Sequence, residues 1–564
     1  MGKSFNTLAD ETLAAVYAMS SARPTIALPT RHLGWRPGFS RIVSACEEWR
    51  SFAASALLIL IATVPTLVLW NRIAWGDADS FHYMRSGVNL ITGRGFLDIA
   101  DKPMTALDRP LYPLAIGLMS RGVPDVELAA RLVSLLGGML AVGSLYWFLS
   151  SRYDFRVAFI STLLFALLPL RVWSGQWVFS DSLSLGLVLL AVAAVFRRDR
   201  VNISDGLLGG VALGLAYITR AEVLVYVLLI AAWIFVKVLR SPSQKYSAYI
   251  LFLASLVSIA VAYHVWFRRE TGQWNSMRLQ YNLACSDAYY KGEAEPWRFD
   301  RDSASIVLRT ADNNPGHVAA RYTFFLREEI SRVLYLAGPA YLVIPPLVVS
   351  LVILLFGFRR WMNPVFVWQL MLGSILILLP IFFIKDRFLL QVMPLLCFWL
   401  AAGNIEFSKW LRTKVNNGPL RSLAVVPSAV LIVLVLLSYS FRLSTQIPLE
   451  AQVTLPKETA NLANSKGLTP GRVLAVDPAF AFYANLVQVW MPYQESLEEV
   501  LRYARKENAR YIYVSNRDAS AGLTQALLAE TQSSRIDWKL IADVSIGSGR
   551  ACLFELMPNT SQSR

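Results

Sequence analysis

The sequence predicts a polytopic, all-helical transmembrane bundle followed by a small C-terminal α/β domain. Three observations lead to this class. Of 564 residues, 55% are hydrophobic and only 16% are charged, which is more apolar than soluble domains usually are. Long uncharged stretches recur up to residue 441, and many approach the length of about 20 residues that crosses a bilayer. From about residue 456 onward, helix-like and strand-like segments alternate instead.

Eleven apolar stretches are predicted to span the membrane. They cover 52–70, 125–149, 156–173, 181–197, 205–219, 221–239, 246–266, 334–357, 364–384, 388–406 and 421–441. The expected domains are a cytoplasmic tail over 1–50, a membrane domain over 51–445 and the α/β domain over 446–564. The tail lacks the apolar core of a signal peptide, so the first span is expected to be an uncleaved anchor.

The distribution of Lys and Arg predicts the orientation in an inner (plasma) membrane. With a cytoplasmic N-terminus, every basic cluster of the short loops except Lys385 to Arg387 lies inside, as the positive-inside rule expects. The loops 71–124 and 267–333 and the α/β domain are then extracytoplasmic. This requires segment 110–121 to be a juxtamembrane or re-entrant helix, because a crossing there would invert every later loop. The net charge of +15 therefore has a topological origin, and no nucleic-acid partner is expected.

The α/β domain is expected to support the membrane domain or to bind an acceptor. Strands are predicted at 472–476, 487–490, 510–514, 539–544 and 551–556, with a helix at 495–506. Neither a Gly-rich phosphate loop nor a nucleophile elbow occurs in it. Cys285 and Cys552 are a candidate disulfide pair outside the membrane. The four cysteines and four histidines of the chain form no metal-ligand spacing, so neither a metal nor a cofactor is expected.

Two carboxylates, Asp77 and Asp79, follow the first predicted span. A carboxylate just outside the membrane can accept the proton of an acceptor hydroxyl as its oxygen attacks an anomeric carbon. Alternatively, both are solvated loop charges or caps of a helix predicted over 80–92. The apolar residues of that helix can lie along the bilayer surface and hold the loop in place, which favours the catalytic interpretation.

Cations of the same loop suit a lipid phosphate. Lys102 and Arg109 each precede a proline near the predicted membrane boundary, where a Lys or Arg neutralises a phosphate diester. Snorkelling of these side chains to the interface is an equally good interpretation.

Further ionisable residues lie at the predicted outer ends of the spans. These are Asp181, Arg220, Glu222 and Arg387. Charged groups at membrane depth are costly, so they are usually paired and often functional. The alternative is a helix cap for Asp181 and a structural ion pair between Arg220 and Glu222. Their predicted convergence on one membrane face favours a functional set.

Short motifs, in this order and at these separations, resemble the C-type (GT-C) membrane glycosyltransferases. Specifically, they resemble the bacterial relatives of the dolichyl-phosphate-mannose protein mannosyltransferases and of the lipid A aminoarabinose transferase. The motifs are Asp79-Ser-Phe-His-Tyr83, Gly93-Arg-Gly-Phe96, Arg109-Pro-Leu-Tyr112-Pro113, Ala129-Ala-Arg-Leu132, Ser180-Asp-Ser182, Thr219-Arg220 and Arg387-Phe-Leu-Leu-Gln-Val-Met-Pro394.

The resemblance implies an enzyme that uses a polyprenyl-phosphate-linked sugar, with a base in the first external loop. Asp79 fits the base position best, but the family's adjacent acidic pair is interrupted by Ser80, which leaves Asp77 open as the base. The motif containing Arg109 and Tyr112 would contact the donor, although it departs from the basic-Pro-Pro pattern of relatives. Lys102-Pro is a second candidate for that position.

The function predicted from the sequence is inverting transfer of a hexosyl or pentosyl group from this lipid to a glycan, lipid or protein acceptor on the extracytoplasmic face. Arg109, Arg220 and Arg387 would neutralise the departing phosphate, with Asp181 orienting a cation or the sugar. The alternatives are a transporter or flippase of lipid-linked glycans and a non-catalytic cell-envelope scaffold. Transporters often show inverted repeats and broken helices at the midplane, and the sequence shows neither.

Overall fold

The computed structural model describes residues 37–70, 76–104, 109–198, 200–240, 246–274, 282–283, 286–287, 289–291, 314–337, 344, 347–348, 364–381, 385–414, 453–491, 497–516 and 538–557. These residues are mostly helical, and one five-stranded sheet lies near the C-terminus.

Helices α1 to α13 form the membrane region and precede the sheet. They are α1 (Pro37–Val68), α2 (Ala78–Ile91), α3 (Leu111–Ser120), α4 (Val126–Arg152), α5 (Phe155–Leu167), α6 (Pro169–Ser174), α7 (Asp181–Phe196), α8 (Ile203–Tyr217), α9 (Val223–Arg240), α10 (Tyr246–Thr271), α11 (Pro315–Ala337), α12 (Pro364–Leu378) and α13 (Met393–Lys414). Two 3₁₀ segments, Leu379–Ile381 and Asp386–Gln391, lie between α12 and α13.

Three helices of the described residues are long and apolar enough to cross a membrane. They are Trp49–Val68 within α1, Val126–Arg152 and Tyr246–Thr271, and they coincide with three predicted spans. Shorter apolar helices occupy most of the other predicted spans, so the total of eleven is not confirmed. The predicted span 421–441 and most of 334–357 lie outside the described residues.

Proline positions explain where helix boundaries differ from the prediction. The predicted span 156–173 is two helices, because Pro169 begins α6 and cannot continue α5. Helix α1 begins at Pro37, inside the segment predicted to be a tail. Helix α11 occupies the end of the predicted loop 267–333, where Pro315 is its first residue and the Asn314 side chain accepts from the His317 amide at 3.2 Å. The predicted span 388–406 begins instead as the second 3₁₀ segment.

Small residues set the distance between the helices that carry the first external loop. Helices α2 and α3 cross at Gly87 and Gly117, where a Cβ on either residue would collide with the backbone of the other helix. Helices α4 and α7 approach in the same way at Gly137 and Gly186. The segment predicted to be a juxtamembrane helix is α3, which packs between α2 and α4. These contacts hold the N-terminus of α2 beside that of α7.

The C-terminal sheet has the strand order β2-β1-β3-β5-β4. Its strands are β1 (Arg472–Ala475), β2 (Val487–Trp490), β3 (Tyr511–Ser515), β4 (Trp538–Ile546) and β5 (Gly549–Leu556). Strands β2, β1 and β3 are parallel, whereas β5 runs antiparallel to β3 and β4. All five strands match the predicted ones. The helices around them are α14 (Leu455–Ser465), α15 (Pro478–Tyr483) and α16 (Leu497–Lys506), the last within the predicted helix 495–506.

The C-terminal α/β region packs directly on α2 and α4. The Phe81 ring of α2 lies 5.6 Å from the Phe482 ring and 5.8 Å from the Tyr483 ring, measured between centroids. Lys457 Nζ lies 3.1 Å from a carboxylate oxygen of Glu127, near the start of α4. Helix α2 was expected to lie along the bilayer surface, yet much of it is buried between α3, α4 and this region.

One cysteine of the candidate disulfide is described. Cys552 is a buried free thiol in β5. Its candidate partner, Cys285, lies outside the described residues.

Candidate active site

The N-terminus of α2 is fixed by Asp77 and Ser80. Asp77 Oδ1 accepts a hydrogen bond from the Asp79 amide at 3.0 Å, and Ser80 Oγ accepts one from the Asp77 amide at 3.1 Å. Ser80 Oγ also donates to the Val178 carbonyl at 3.0 Å. This reciprocal pair is a capping box, a strong signal for a helix start. Asp77 is therefore a helix cap, as the alternative interpretation of the sequence proposed.

Asp79 lies in the first turn of α2 and forms an ion pair with Arg387. Asp79 Oδ2 is 2.5 Å from Arg387 Nη2, whereas Asp77 Oδ2 is 3.8 Å from Arg387 Nη1. Arg387 is only 6% exposed, and its guanidinium lies 4.0 Å above the Phe179 ring centroid. Its Nε and Nη1 atoms are buried without a hydrogen-bond partner among the described residues. The site thus contains a buried cation with two donors available.

A second cluster surrounds Arg220, in the turn between α8 and α9. Arg220 Nη1 is 2.8 Å from Asp181 Oδ1, and Arg220 Nε pairs with Glu222. Asp181 is 1% exposed and Arg220 7%. Nη1 also donates to Ser180 Oγ at 3.3 Å, and Ser180 lies 3.5 Å from the Tyr83 hydroxyl of α2. The predicted Arg220–Glu222 pair is therefore present, and Asp181 joins it.

The two clusters meet at Phe388, in the 3₁₀ segment Asp386–Gln391. Its ring centroid lies 5.3 Å from the Arg387 guanidinium and 5.6 Å from that of Arg220. Asp79, Arg387, Arg220 and Asp181 are thus parts of one continuous charged site, although they come from four separate segments of the chain. The structure brings these residues together, whereas their placement on one membrane face stays a prediction.

Arg109 lies against Tyr217, the last residue of α8, three residues before Arg220. It donates from Nη1 to the Tyr217 carbonyl at 2.9 Å, and its guanidinium lies 3.9 Å from the Tyr217 ring centroid and 5.1 Å from that of Tyr263. Aromatic faces attract a cation and orient it. Arg109 therefore borders the Arg220 cluster and has no ion pair among the described residues.

Two other predicted donor-binding residues are placed differently. Tyr112 is fully buried, and its hydroxyl lies 2.7 Å from Ser134 Oγ, so it joins α3 to α4. The Lys102 side chain is exposed, and its amide donates to Asp98 Oδ1 at 2.9 Å. The Tyr112 ring also packs edge-to-face on Tyr83, with centroids 5.1 Å apart, so Tyr112 supports the Arg220 cluster from behind. The Lys102 contact stays within its own loop.

The α/β region adds residues that the sequence did not single out. Asp477 caps α15 by accepting from the Ala479 amide at 2.8 Å, and the His82 ring stacks on the Trp490 ring with centroids 5.8 Å apart. Asp477-Pro478 is a recognisable helix-start signal, but its proximity to Asp77 depends on tertiary structure.

Burial governs the protonation of these groups. Burial, with a smaller contribution from the Asp77 charge, raises the pKa of Asp477 to about 6. Burial and the neighbouring Asp79 raise the pKa of Asp77, against the opposing effect of Arg387. Burial lowers the pKa of His82, which is therefore neutral at neutral pH.

Within the described part of the chain, no group of three His, Cys, Asp or Glu residues is placed to hold a metal ion.

Comparisons with known proteins support the resemblance to the C-type membrane glycosyltransferases that the sequence motifs indicated. The family model of dolichyl-phosphate-mannose-protein mannosyltransferases matches residues 101–266. No curated protein sequence matches the chain. The resemblance drawn from the sequence motifs is therefore confirmed by the family model and, as described next, by solved structures.

Solved structures share the fold at low sequence identity. ArnT from Cupriavidus metallidurans in the apo state is 12% identical, with a TM-score of 0.56 over 90% of this chain and 98% of that chain. ArnT from the same organism bound to undecaprenyl phosphate is 13% identical, with a TM-score of 0.56 over 88% of this chain and 97% of that chain. A third structure is the archaeal oligosaccharyltransferase AglB from Archaeoglobus fulgidus in complex with an inhibitory peptide and a dolichol-phosphate. It is 13% identical, with a TM-score of 0.51 over 83% of this chain and 69% of that chain.

Proposed function

We propose that the protein transfers a sugar from a polyprenyl-phosphate donor to an acceptor hydroxyl, with inversion at the anomeric carbon, on the extracytoplasmic face of the membrane. The observation that carries this proposal is the ion pair of Asp79 with the buried Arg387, joined through Phe388 to the Arg220–Asp181 pair. This arrangement supplies a proton acceptor and two cations at one place.

Arg387 suits the donor phosphate. Its Nε and Nη1 atoms have no hydrogen-bond partner among the described residues, and a buried donor without a partner is costly. A phosphate oxygen would satisfy them with charge-assisted hydrogen bonds. Because negative charge on the leaving phosphate grows as the glycosidic bond breaks, this contact strengthens in the transition state.

Asp79 is the proposed base. While it is paired with Arg387, the neighbouring positive charge favours its ionised form and weakens it as a base. A bound phosphate takes over part of the Arg387 charge and makes Asp79 more basic. Asp79 then accepts the proton of the acceptor hydroxyl, and the acceptor oxygen forms a bond to C1 of the sugar. The C1–O bond to phosphate breaks, and polyprenyl phosphate leaves with the electron pair.

The remaining residues have positioning roles in this scheme. Asp77 starts α2 and thereby places Asp79. Asp181 and Glu222 hold Arg220 as the second cation, and Arg109 adds a positive charge beside this cluster. Tyr112 and Lys102 are not assigned to the donor. The scheme requires neither a metal nor a cofactor.

Relatives support a lipid-phosphate donor. The ArnT structure of similar fold is bound to undecaprenyl phosphate, and AglB is in complex with a dolichol-phosphate. The proposed setting is an inner-membrane protein with a cytoplasmic N-terminus and an extracytoplasmic α/β domain at residues 446–564. The outer ends of the helices then supply the site, and the helical bundle supports the isoprenoid chain.

The test uses the purified full chain in nanodiscs with radiolabelled polyprenyl-phosphate sugars. We expect wild type to release label to an acceptor or to water, and Asp79→Asn to reduce this by about 10²–10⁴-fold, because a general base is lost. Asp77→Asn is the matched control, since Asn also caps helices, and it should retain most activity. Normal turnover by Asp79→Asn would refute the assignment of Asp79 as the base. Movement of the intact lipid by wild type without release of label would favour a transporter. If wild type neither releases label nor moves lipid, a scaffold is favoured.

A further inference from the structure

The carboxyl ends of the parallel strands point at the N-terminal half of α2. Trp490 is the last residue of β2, and Asp477 follows β1 by two residues. The Trp490 ring stacks on His82, which lies one helical turn after Asp79. Ligands of open α/β sheets bind outside the carboxyl ends of parallel strands. Here that edge lies against the helix that carries the proposed base.

His82 is an unusual residue for a packed interface. It is 1% exposed, and neither ring nitrogen has a hydrogen-bond partner among the described residues. A neutral imidazole carries one donor and one acceptor, so leaving both unmade is costly. Packing alone would be served as well by an apolar ring. Both nitrogens are suited to the hydroxyl groups of a ligand.

Trp490 offers the complementary surface. One side of its indole lies against His82, while 37% of the residue remains exposed. Trp rings supply a large, rigid apolar face at low conformational cost. The apolar face of a sugar ring fits such a surface, and its hydroxyls suit the imidazole and the Asp477 carboxylate. Asp477 is close enough to α2 for the Asp77 charge to influence it.

We infer that Trp490, His82 and Asp477 form the acceptor subsite and that the acceptor is a saccharide. This rests on the proposed glycosyl transfer and deepens it. The sugar ring stacks on Trp490, and its hydroxyls bond to His82 and Asp477. The hydroxyl that is to be glycosylated is thereby directed to Asp79, one turn away on α2.

The experiment compares two acceptor probes with the nanodisc-embedded full chain. Octyl β-glucoside presents a sugar at the membrane surface, and an acetylated Ser-Thr peptide amide presents hydroxyls without a sugar ring. Donor hydrolysis to water is measured first without any acceptor. We expect label to pass to the glucoside and not to the peptide. Transfer to the peptide alone would overturn the inference.

Matched variants separate the contacts. Trp490→Ala should raise the KM for octyl glucoside about tenfold, and Trp490→Tyr should retain most affinity because an aromatic face remains. His82→Phe keeps the ring stack but removes the nitrogens, and should raise this KM about fivefold. Arg510→Ala is the control, because Arg510 precedes β3 and so lies at the amino ends of the parallel strands, opposite the carboxyl ends that carry Trp490 and Asp477. Arg510→Ala should hydrolyse donor like wild type when no acceptor is present.

The outcomes distinguish the two proposals. If donor is hydrolysed but Trp490→Ala leaves the glucoside KM unchanged, the acceptor subsite is wrong and the proposed transfer stands. If wild type consumes as little donor as Asp79→Asn, both the acceptor subsite and the proposed transfer are wrong. The melting temperature of each variant shows whether it is folded. If Trp490→Ala is misfolded, the KM values of the conservative variants Trp490→Tyr and His82→Phe test the subsite instead.

Discussion

Two buried arginines of the membrane region are held in opposite ways. Arg387 pairs with two carboxylates, Asp77 and Asp79, at the N-terminus of α2, and its guanidinium lies over the Phe179 ring. Arg171, in α6, is 1% exposed and donates from Nη1 to the Ala62 carbonyl at 2.5 Å and to Thr66 Oγ1 at 3.2 Å. It has no carboxylate partner in the part of the chain that the structure describes.

The surroundings of Arg171 identify its role. Pro65 lies within α1 and removes a backbone donor from that helix. The guanidinium of Arg171 supplies donors to the same stretch of α1 and so joins α6 to it. Arg387 instead contacts ionised groups that an anionic ligand can replace. Burial of a charge in a helical bundle therefore does not by itself mark a functional site, and the chemistry of the partners separates the two cases.

The largest expected effect on activity follows from changing Arg387. Arg387→Gln removes the charge next to the leaving phosphate and should lower kcat/KM for the donor about 10²–10³-fold, which is typical for loss of one transition-state donor. Release of label from polyprenyl-phosphate sugar measures this. The melting temperature in detergent should change little, since Asp79 loses its partner but stays partly solvated. An active Arg387→Gln enzyme would remove the distinction between the two arginines.

Arg171→Met should show the reverse pattern. The variant loses two hydrogen bonds between α6 and α1, and we expect the free energy of unfolding to fall by about 1–3 kcal/mol. Turnover per folded molecule should stay within about twofold of wild type, because among the described residues the Arg171 guanidinium donates to α1 and to none of the charged residues of the candidate site. Thermal melting and donor hydrolysis are measured on the same preparation. A large loss of turnover at an unchanged melting temperature would contradict the structural role.

The sequence predicts these two arginines unequally well. Hydropathy and strand periodicity depend on neighbouring residues, and they correctly located the long spans and all five strands. The Asp79–Arg387 pair joins residues 308 positions apart, so only the family resemblance and the predicted topology indicated it. Arg171 lies within a predicted span, and no local sequence pattern distinguishes it there. The contact of His82 with Trp490 depends on how the α/β region packs on α2. Local signals also missed α11, where charged residues suggested a loop.

The smallest expected effect concerns the pH dependence of stability at Asp477. Burial raises its pKa in the folded protein to about 6, above its value in the unfolded chain of about 4. Folding therefore favours the protonated form, and this contribution is present below about pH 4 and is lost as the pH rises through 6. Asp477→Asn keeps the helix cap and removes the ionisation. At pH 8 the variant should melt about 1–3 °C above wild type, and the difference should shrink at pH 5.

Asp543 is the control with the opposite sign, because the hydrogen bond from Arg550 lowers its pKa. Its contribution is present above the unfolded pKa and is lost as the pH falls, so Asp543→Asn should melt below wild type at pH 8. Both carboxylates belong to the same α/β region, and only Asp477 faces α2. Equal and parallel responses of the two variants would mean that the charge on Asp477 is not buried against the proposed active site.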